Sequence, residues 1–402
     1  MSRPNGHKAT TTRRELMTGA AATAVAALAA PPILAQTRAP LKLGVLNSYT
    51  GAIAVAADSN VIGMQVYLDR INWSIAGRKV ELIKEDDQFN PQIGLQKARK
   101  LVQSDQVDMI VGPQASNVAV ALINYVKQSK TFLVISGAGT DAITWERVPY
   151  MFRTSLSGWQ LVNPIGEWIY DNLAHEIVVC CADYVAGHDI ANVLKHAFEK
   201  KGGKVIKEIY VPLGTADFSP YLTVIRSLDP KVVYDFSPGG ADSTRFVQQY
   251  AESGIKARLT CYGGMVDETA IAAIGKAALG VISSSIYTDT LDNAENQRFV
   301  AEYRAKAKEY PNLFSDYGFV VAEVIDRSLQ ATDGDTSSKD KLAEAMAKVS
   351  FKAPRGPFRF DPVTHDPIQN VYMLEERARG DRIVGEVIGT TPDVQAPGSK
   401  QG

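Results

Sequence analysis

The stretch Val107-Asp108-Met109-Ile110-Val111-Gly112-Pro113-Gln114-Ala115-Ser116 joins a mostly apolar run to a loop that ends in a serine. Ser116 is the predicted N-cap of a helix whose apolar residues Val118, Leu122 and Val126 recur at helical spacing. The stretch therefore predicts a strand, Val107–Pro113, followed by a loop and a helix.

The same alternation of strand and helix repeats along the chain. The apolar runs Phe132–Ile135 and Val178–Cys181 do not alternate with polar residues, as is typical of parallel strands buried on both faces. Because strands that alternate with helices form parallel sheets with right-handed crossovers, the sequence predicts an α/β protein. The predicted strands are Leu41–Asn47, Lys79–Asp86, Val107–Pro113 and Thr131–Ser136, then Glu176–Asp183, Lys204–Pro212, Val232–Ser237 and Ala257–Tyr262.

The repeated rhythm favours two similar lobes over one large open sheet. A hairpin is predicted near the end of the second lobe, where Gly380-Asp381 separates two apolar runs. The predicted boundaries are 41–153 plus 288–354 for the first lobe, 154–287 plus 355–390 for the second, 391–402 for a flexible tail, and 152–155, 283–287 and 354–361 for three crossings.

Composition restricts the classes of function. The 402 residues are 45% hydrophobic and 22% charged, which is ordinary for a globular protein and excludes a disordered chain or a collagen-like fibre. The formal net charge is −1, so no basic excess exists to bind nucleic acid. The 3 cysteines are too few for a four-cysteine zinc site and are predicted to be small buried hydrophobic residues.

Residues 1–35 are predicted to be a cleaved export signal. Arg13-Arg14 resembles the twin-arginine motif, and a weakly hydrophobic, alanine-rich stretch follows it up to Ala30. Ala35 precedes the predicted cleavage position. No later segment is long and apolar enough to span a bilayer, so we predict a periplasmic mature chain without membrane insertion.

The sequence lacks the short motifs of common enzyme classes. No Walker A, His-Glu-x-x-His, Cys-x-x-Cys or Gly-x-Ser-x-Gly pattern occurs, so neither a phosphate loop nor a zinc site nor a nucleophile elbow is predicted. We predict no cofactor, no metal, and a binding protein instead of an enzyme.

Several stretches form a characteristic ordered set: Lys42–Leu46, Tyr49–Gly51, Val107–Ser116, Ile135–Thr140, Tyr150–Thr154, Ala182–Gly187, Pro212–Phe218 and Gly356–Asp361. In this order they resemble the periplasmic solute-binding proteins of the leucine/isoleucine/valine-binding type, over about residues 41–390. The resemblance implies two Rossmann-like lobes with mostly parallel sheets, three hinge crossings and a ligand cleft between the lobes. It also implies two partners, a small-molecule ligand and the membrane permease of an ATP-driven importer.

Two loops of the first lobe are predicted to bind a carboxylate. Ligands of open parallel sheets bind beyond the carboxyl ends of strands, where Gly112–Ser116 and Gly137–Thr140 lie. Hydroxyls, backbone N–H groups and helix N-termini can bind a carboxylate there without a cation. The resemblance assigns this role to Ser116, Ala138, Gly139 and Thr140. The alternative is that Ser116 and Thr140 only cap helices.

The second lobe offers further candidates for ligand contact. The resemblance places a ligand-contacting tyrosine at Tyr184, and Gly239 and Gly263 follow strand ends at the cleft. Tyr287, on the second crossing, is a candidate for stacking on a ligand. The alternative for each tyrosine is a place in the core or at the rim.

Two departures from the family pattern bear on the ligand. Amino-acid binders carry an acid near the loop Tyr262–Met265, whereas this chain has none before Asp267, and alanine and valine replace a cleft aromatic near 54–58. An unpaired buried ammonium costs on the order of several kcal/mol. We therefore predict that the ligand is a carboxylate with an apolar or aromatic body. The protein itself is predicted to be a monomer. The alternatives are a branched-chain amino acid, a short amide or urea as ligand, a sensor role, or a periplasmic enzyme.

Overall fold

The structure is a computed structural model that describes residues 38–50 and 54–398. The predicted export signal, with Arg13, Arg14 and Ala35, lies outside the described residues. Within them, strands and helices alternate through most of the chain, as the sequence predicts.

The strands are β1 Leu41–Asn47, β2 Ser74–Ile75, β3 Arg78–Asp86, β4 Met109–Val111, β5 Phe132–Ile135, β6 Met151–Arg153, β7 Glu176–Ala182, β8 Lys204–Val211, β9 Val232–Phe236, β10 Arg258–Tyr262, β11 Ile282–Ser285, β12 Ser350–Ala353, β13 Gly356–Phe360, β14 Pro367–Arg379 and β15 Arg382–Val394. The α-helices are α1 Ala54–Arg70, α2 Pro91–Gln103, α3 Ser116–Ser129, α4 Ala142–Trp145, α5 Gly158–Asn172, α6 Val185–Lys200, α7 Ser219–Leu228, α8 Ala241–Glu252, α9 Glu268–Ile274, α10 Ala294–Ala307, α11 Leu313–Ala331 and α12 Lys339–Ala347.

The first lobe is built on a sheet of order β2-β3-β1-β4-β5-β6. Strands β3, β1, β4, β5 and β6 pair in parallel, and β2 is antiparallel to β3. Helix α11 returns to this lobe from far along the chain and crosses α1 closely. A Cβ at Gly63 would lie 1.8 Å from the Ser315 carbonyl oxygen, and one at Gly318 would lie 1.8 Å from the Asn60 oxygen. Only glycine therefore allows this helix crossing.

The second lobe is built on a larger sheet of order β12-β13-β14-β11-β10-β9-β7-β8, with β15 paired to β14. Strands β8, β7, β9, β10 and β11 pair in parallel, whereas β12 to β15 add antiparallel pairs. The predicted hairpin around Gly380 is confirmed, since β14 and β15 pair on either side of it. The structure is therefore the predicted α/β fold with mostly parallel sheets.

Two boundaries differ from the predicted ones. Ser350–Ala353 pairs with Gly356–Phe360 in the second sheet, so the third crossing precedes Ser350 instead of lying in 354–361. The predicted tail is also shorter, because β15 continues to Val394 and the Gln395 amide donates to the Asp361 carboxylate.

Two buried arginines at the crossings between the lobes form ion pairs with buried aspartates. Arg153 pairs with Asp366 through Nε and Oδ1 at 2.9 Å, and Arg355 pairs with Asp316 through Nη2 and Oδ2 at 2.6 Å. Arg355 also donates to the Thr154 carbonyl oxygen at 2.8 Å. Removing one partner of such a pair leaves an uncompensated buried charge. Each ion pair therefore stabilises the chain segments that border the cleft.

Within the described ranges 38–50 and 54–398, no helix combines the length and the apolar character that a membrane crossing requires. Cys180, Cys181 and Cys261 are buried and unbonded, which confirms their predicted role as small hydrophobic residues.

Candidate ligand-binding cleft

A cavity of about 990 Å³ lies between the two lobes and is lined by residues of both. It opens at the carboxyl ends of the parallel strands, where β4 and β5 of one sheet and β7, β9 and β10 of the other end. This is the position at which open parallel sheets bind ligands. Its lining includes Ser116 and Thr140 of the first lobe and Tyr184, Phe236, Tyr262 and Asp267 of the second.

The two predicted loops of the first lobe meet at this cavity. Ser116, Gly139 and Thr140 line it, and the Thr140 backbone N–H donates to Ser116 Oγ at 3.2 Å. Ser116 is not the N-cap that the sequence predicts, because that place belongs to Ala115, and α3 has no side-chain cap. Asp141, not Thr140, stands at the N-cap of α4. The capping alternative is therefore wrong for both hydroxyl residues.

Three of the eight predicted site residues do not reach the cavity. Ala138 is fully buried beneath its loop. Gly263 is buried against Ser285, and its neighbour Gly264 lines the cavity instead. Tyr287 packs edge-on against Phe299, with ring centroids 6.1 Å apart. These three residues are core, whereas Tyr184 and Gly239 line the cavity with Ser116, Gly139 and Thr140.

Aromatic rings form one wall of the cavity. Phe236, at the end of β9, lies between Tyr184 and Tyr262, with centroid distances of 6.4 and 5.7 Å. Phe314, on α11 of the first lobe, also lines the cavity. The predicted site includes the glycines that follow these strand ends, Gly239 and Gly263, but not the rings of Phe236 and Tyr262. Offset and edge-to-face ring contacts give such a wall affinity for a flat apolar group.

The cavity also carries charge that the sequence analysis missed. Asp267 N-caps α9, and its Oδ1 accepts from the backbone N–H groups of Thr269 and Ala270 at 3.1 and 2.9 Å. Burial raises its pKa to about 6. Asp267 follows the short 3₁₀ turn Gly263–Met265 and lines the cavity, so the cleft has an acid although the loop Tyr262–Met265 itself has none.

Asp141 is a second carboxyl on the cavity. Burial raises its pKa to about 6 although the Arg153 guanidinium opposes that shift. Its Oδ2 accepts from the Trp159 backbone N–H at 3.2 Å, at the start of α5 in the second lobe. This bond and the 3.5 Å contact between Thr140 Oγ1 and Asp189 Oδ2 join the lobes beside the predicted carboxylate site.

Cations are scarce in this cleft. Among the described residues that line the cavity, Arg245 is the one basic side chain. Its guanidinium is held by the Asp242 carboxylate and by the Thr215 carbonyl oxygen. Within residues 38–50 and 54–398, no group of three or more His, Cys, Asp or Glu side chains is placed to hold a metal ion.

The chain matches the family model "Periplasmic binding protein" over residues 40–381. It is 30% identical over 341 residues to "Leu/Ile/Val-binding protein homolog 6" of Brucella melitensis biotype 1, with 83% of this chain and 87% of that protein covered.

Solved structures that resemble this chain in sequence and fold are also substrate-binding proteins of ABC transporters. An ABC transporter substrate-binding protein from Sphaerobacter thermophilus is 33% identical with a TM-score of 0.84, covering 88% of this chain and 98% of that one. A solute-binding protein of an ABC transporter from R. palustris, in complex with benzoate, is 30% identical with a TM-score of 0.83, covering 90% of this chain and 100% of that one. This family supplies small ligands to a membrane permease from the periplasm and is not a family of enzymes. The chain therefore belongs to the periplasmic binding protein family, as a type I member of the leucine/isoleucine/valine-binding kind.

Proposed function

We propose that this protein captures a small aromatic carboxylate between its lobes and delivers it to the permease of an ATP-driven importer. One observation carries the proposal. The same cavity is lined by hydroxyl residues of the first lobe, Ser116 and Thr140, and by aromatic rings of the second lobe, Tyr184, Phe236 and Tyr262.

The polar side suits a carboxylate. The first turn of α3 presents backbone N–H groups at the positive end of a 14-residue helix, and Ser116 and Thr140 add hydroxyls. Hydrogen bonds to a charged acceptor are stronger than those between neutral groups. Ser116 and Thr140 therefore bind the ligand carboxylate in this proposal, with Gly139 allowing the close approach of the backbone.

The aromatic side suits a ring. Tyr184, Phe236 and Tyr262 offer adjacent ring faces and edges, and each good aromatic pair contributes about 0.5–1.5 kcal/mol beyond the burial of area. Solved neighbours that are in complex with benzoate and with 3,4-dihydroxybenzoic acid support the same class of ligand.

A branched-chain amino acid is the second candidate, and Asp267 is the observation that favours it. A carboxylate on the cavity can pair with an α-ammonium, and a relative of this chain is named as a Leu/Ile/Val-binding protein homolog. The same carboxylate disfavours an anionic ligand close to it. The two candidates therefore make opposite predictions for the charge of Asp267.

A thermal-shift panel separates the candidates. It compares benzoates and cinnamates with leucine, isoleucine, valine, short amides and urea. A ligand at 100 times its Kd stabilises the folded protein by about 2.7 kcal/mol, so the true class produces a clear rise in Tm. A shift with aromatic acids alone supports the proposal, whereas a shift with branched-chain amino acids alone replaces it with the second candidate.

Membership of this family implies export to the periplasm. We propose that residues 1–35, with Arg13-Arg14, direct the chain through the twin-arginine route.

A further inference from the structure

Four aliphatic side chains line the cavity and are exposed to solvent. Val55 and Val120 belong to α1 and α3 of the first lobe, whereas Val185 and Leu213 belong to the second lobe. Between 45% and 74% of the surface of each is exposed. We call these four residues the aliphatic lining. In the part of the chain that the structure describes, nine large hydrophobic side chains are exposed, and the aliphatic lining supplies four of them.

The cavity is larger than a benzoate needs. Its volume of about 990 Å³ lies at the upper end of the range of roughly 300–1,000 Å³ for pockets that bury drug-sized ligands. One ring with its carboxylate is much smaller than such a ligand. The lobes are already joined by the bond from Asn312 Nδ2 to Thr269 Oγ1 at 2.6 Å. A benzoate would therefore leave much of this volume to water.

The aliphatic lining adjoins residues that bind the ligand in the proposed function. Val120 follows Ser116 by four residues on α3, and side chains at this spacing lie on the same face of a helix, with Cβ atoms about 5–6 Å apart. Val185 directly follows Tyr184 at the start of α6. A substituent on a bound aromatic acid would therefore find aliphatic side chains close to the groups that hold its carboxylate and its ring.

The chemistry of these side chains determines which substituent they favour. Valine and leucine neither donate nor accept hydrogen bonds, so a polar substituent gains no partner from them, whereas an apolar one gains free energy by displacing water. Because the aliphatic lining belongs to both lobes, an apolar substituent that touches both adds to the stability of the closed state. The permease is another conceivable occupant, but these residues line the ligand cavity itself, which favours the ligand.

We infer that the aliphatic lining is a subsite for a bulky apolar substituent, so that the ligand class is aromatic carboxylates that carry an alkyl chain or a second ring. The inference rests on the proposed function, since it assumes that an aromatic carboxylate occupies the cleft. It goes beyond the benzoate and the 3,4-dihydroxybenzoic acid of the solved neighbours, which have no substituent or only small polar ones.

Two series of ligands test the inference. The Kd values of the 3-alkylbenzoates and 4-alkylbenzoates, from methyl to butyl, are measured by calorimetry with the wild-type protein. Each added CH₂ that leaves water should raise affinity by about 2- to 4-fold, where the upper value corresponds to full burial. In at least one series, butyl should therefore bind roughly 10- to 60-fold more tightly than methyl. Affinities that do not rise with chain length in either series would overturn the inference.

The double variant Val120→Thr, Val185→Thr then assigns the gain to the aliphatic lining. Threonine keeps the shape of valine but places a hydroxyl in the subsite, so the ratio of the methyl Kd to the butyl Kd should fall toward one. Val224→Thr is the matched control, because Val224 is 41% exposed on α7 and lies outside the cavity lining. The Tm of each ligand-free variant shows whether it folds. A wild-type ratio in the folded double variant would overturn the inference.

The remaining outcomes separate this inference from the proposed function. Failure of benzoate and of every alkylbenzoate to bind would overturn the proposed function. Binding of all of them with equal affinity would overturn only the inference about the aliphatic lining. A double variant that binds both series like the wild type but no longer supports uptake would assign the aliphatic lining to contact with the permease, and would overturn the inference as well.

Discussion

Asn312 of the first lobe donates through Nδ2 to Thr269 Oγ1 of the second lobe at 2.6 Å, across the mouth of the cleft. The same Nδ2 also donates to Ser59 Oγ at 3.0 Å within the first lobe, and Asn312 N-caps α11. Asn312 of the first lobe is thus hydrogen-bonded to a side chain on the first turn of α9 in the second lobe. A ligand stabilises the state that it binds best, so bonds across the cleft contribute to its affinity.

Replacing Thr269 by valine removes this bond and keeps the shape of the side chain. A net hydrogen bond contributes about 0.5–1.5 kcal/mol, so ligand affinity should fall by about 2- to 12-fold. Calorimetric titration of wild type and variant measures the change. Thr223→Val is the matched control, because Thr223 is exposed and its hydroxyl donates to the Ser219 carbonyl oxygen of its own helix. Equal losses in both variants would show that the Thr269 bond has no special role.

Ser116→Ala should weaken carboxylate binding by roughly 10- to 150-fold, the equivalent of about 1.5–3 kcal/mol for a bond to a charged group. The Tm of the ligand-free protein should change little, because Ser116 does not cap α3. Ser129→Ala at the other end of the helix is the control, since Ser129 Oγ also accepts one backbone N–H, from Thr131 at 3.3 Å. A large loss of stability with unchanged affinity would contradict the assignment of Ser116.

The pH dependence of binding tests the role of Asp267. Burial raises its pKa to about 6, so the carboxyl is mostly neutral at pH 5 and mostly charged above pH 7. Its charged form disfavours an anionic ligand, so aromatic acids should bind more tightly at pH 5 than at pH 7.5. Asp267→Asn should reduce this difference and raise affinity at pH 7.5, as measured by titration at both pH values.

An α-amino acid ligand would give the opposite result. Its ammonium would lose a partner in Asp267→Asn, and leucine affinity would fall at pH 7.5. The exposed Asp229 provides the control variant Asp229→Asn, which should leave both profiles as in the wild type.

Export provides an independent test of the N-terminal prediction. Replacing Arg13 and Arg14 by lysine should stop export through the twin-arginine route, because a receptor recognises the arginine pair. Fractionation of cells that produce the wild type and the double variant shows where each accumulates. Normal periplasmic accumulation of the double variant, or of the wild type in cells without that route, would contradict the assignment.

Strands β1, β3, β4 and β5 of the first lobe could be predicted, since apolar runs such as Phe132–Ile135 are typical of a sheet buried on both faces. The two short edge strands β2 and β6 were not predicted. The third crossing was placed too late. Ser350–Ala353 is a short edge strand of mixed polarity, and its pairing with β13 depends on contacts that no local pattern shows.

Loops of the site could be located, but not the direction of each side chain in them. Gly137–Thr140 lies at the cavity as predicted, yet Ala138 turns into the core. Tyr287 is an aromatic residue at a crossing, but its ring packs on Phe299, which belongs to α10 and follows it in the chain. Asp267 is a polar residue whose role depends on the groups across the cleft from it, and only the assembled lobes supply that information.

Direct titration tests whether the protein binds an aromatic acid or a branched-chain amino acid. Protein purified from the periplasm is freed of bound compounds by unfolding and refolding, and 4-hydroxybenzoate and leucine are titrated separately into it in a calorimeter. We expect saturable one-to-one binding of 4-hydroxybenzoate and weaker or no binding of leucine. The 4-hydroxybenzoate should be recovered chemically unchanged. Tight binding of leucine with no heat from the aromatic acid would contradict the proposed function.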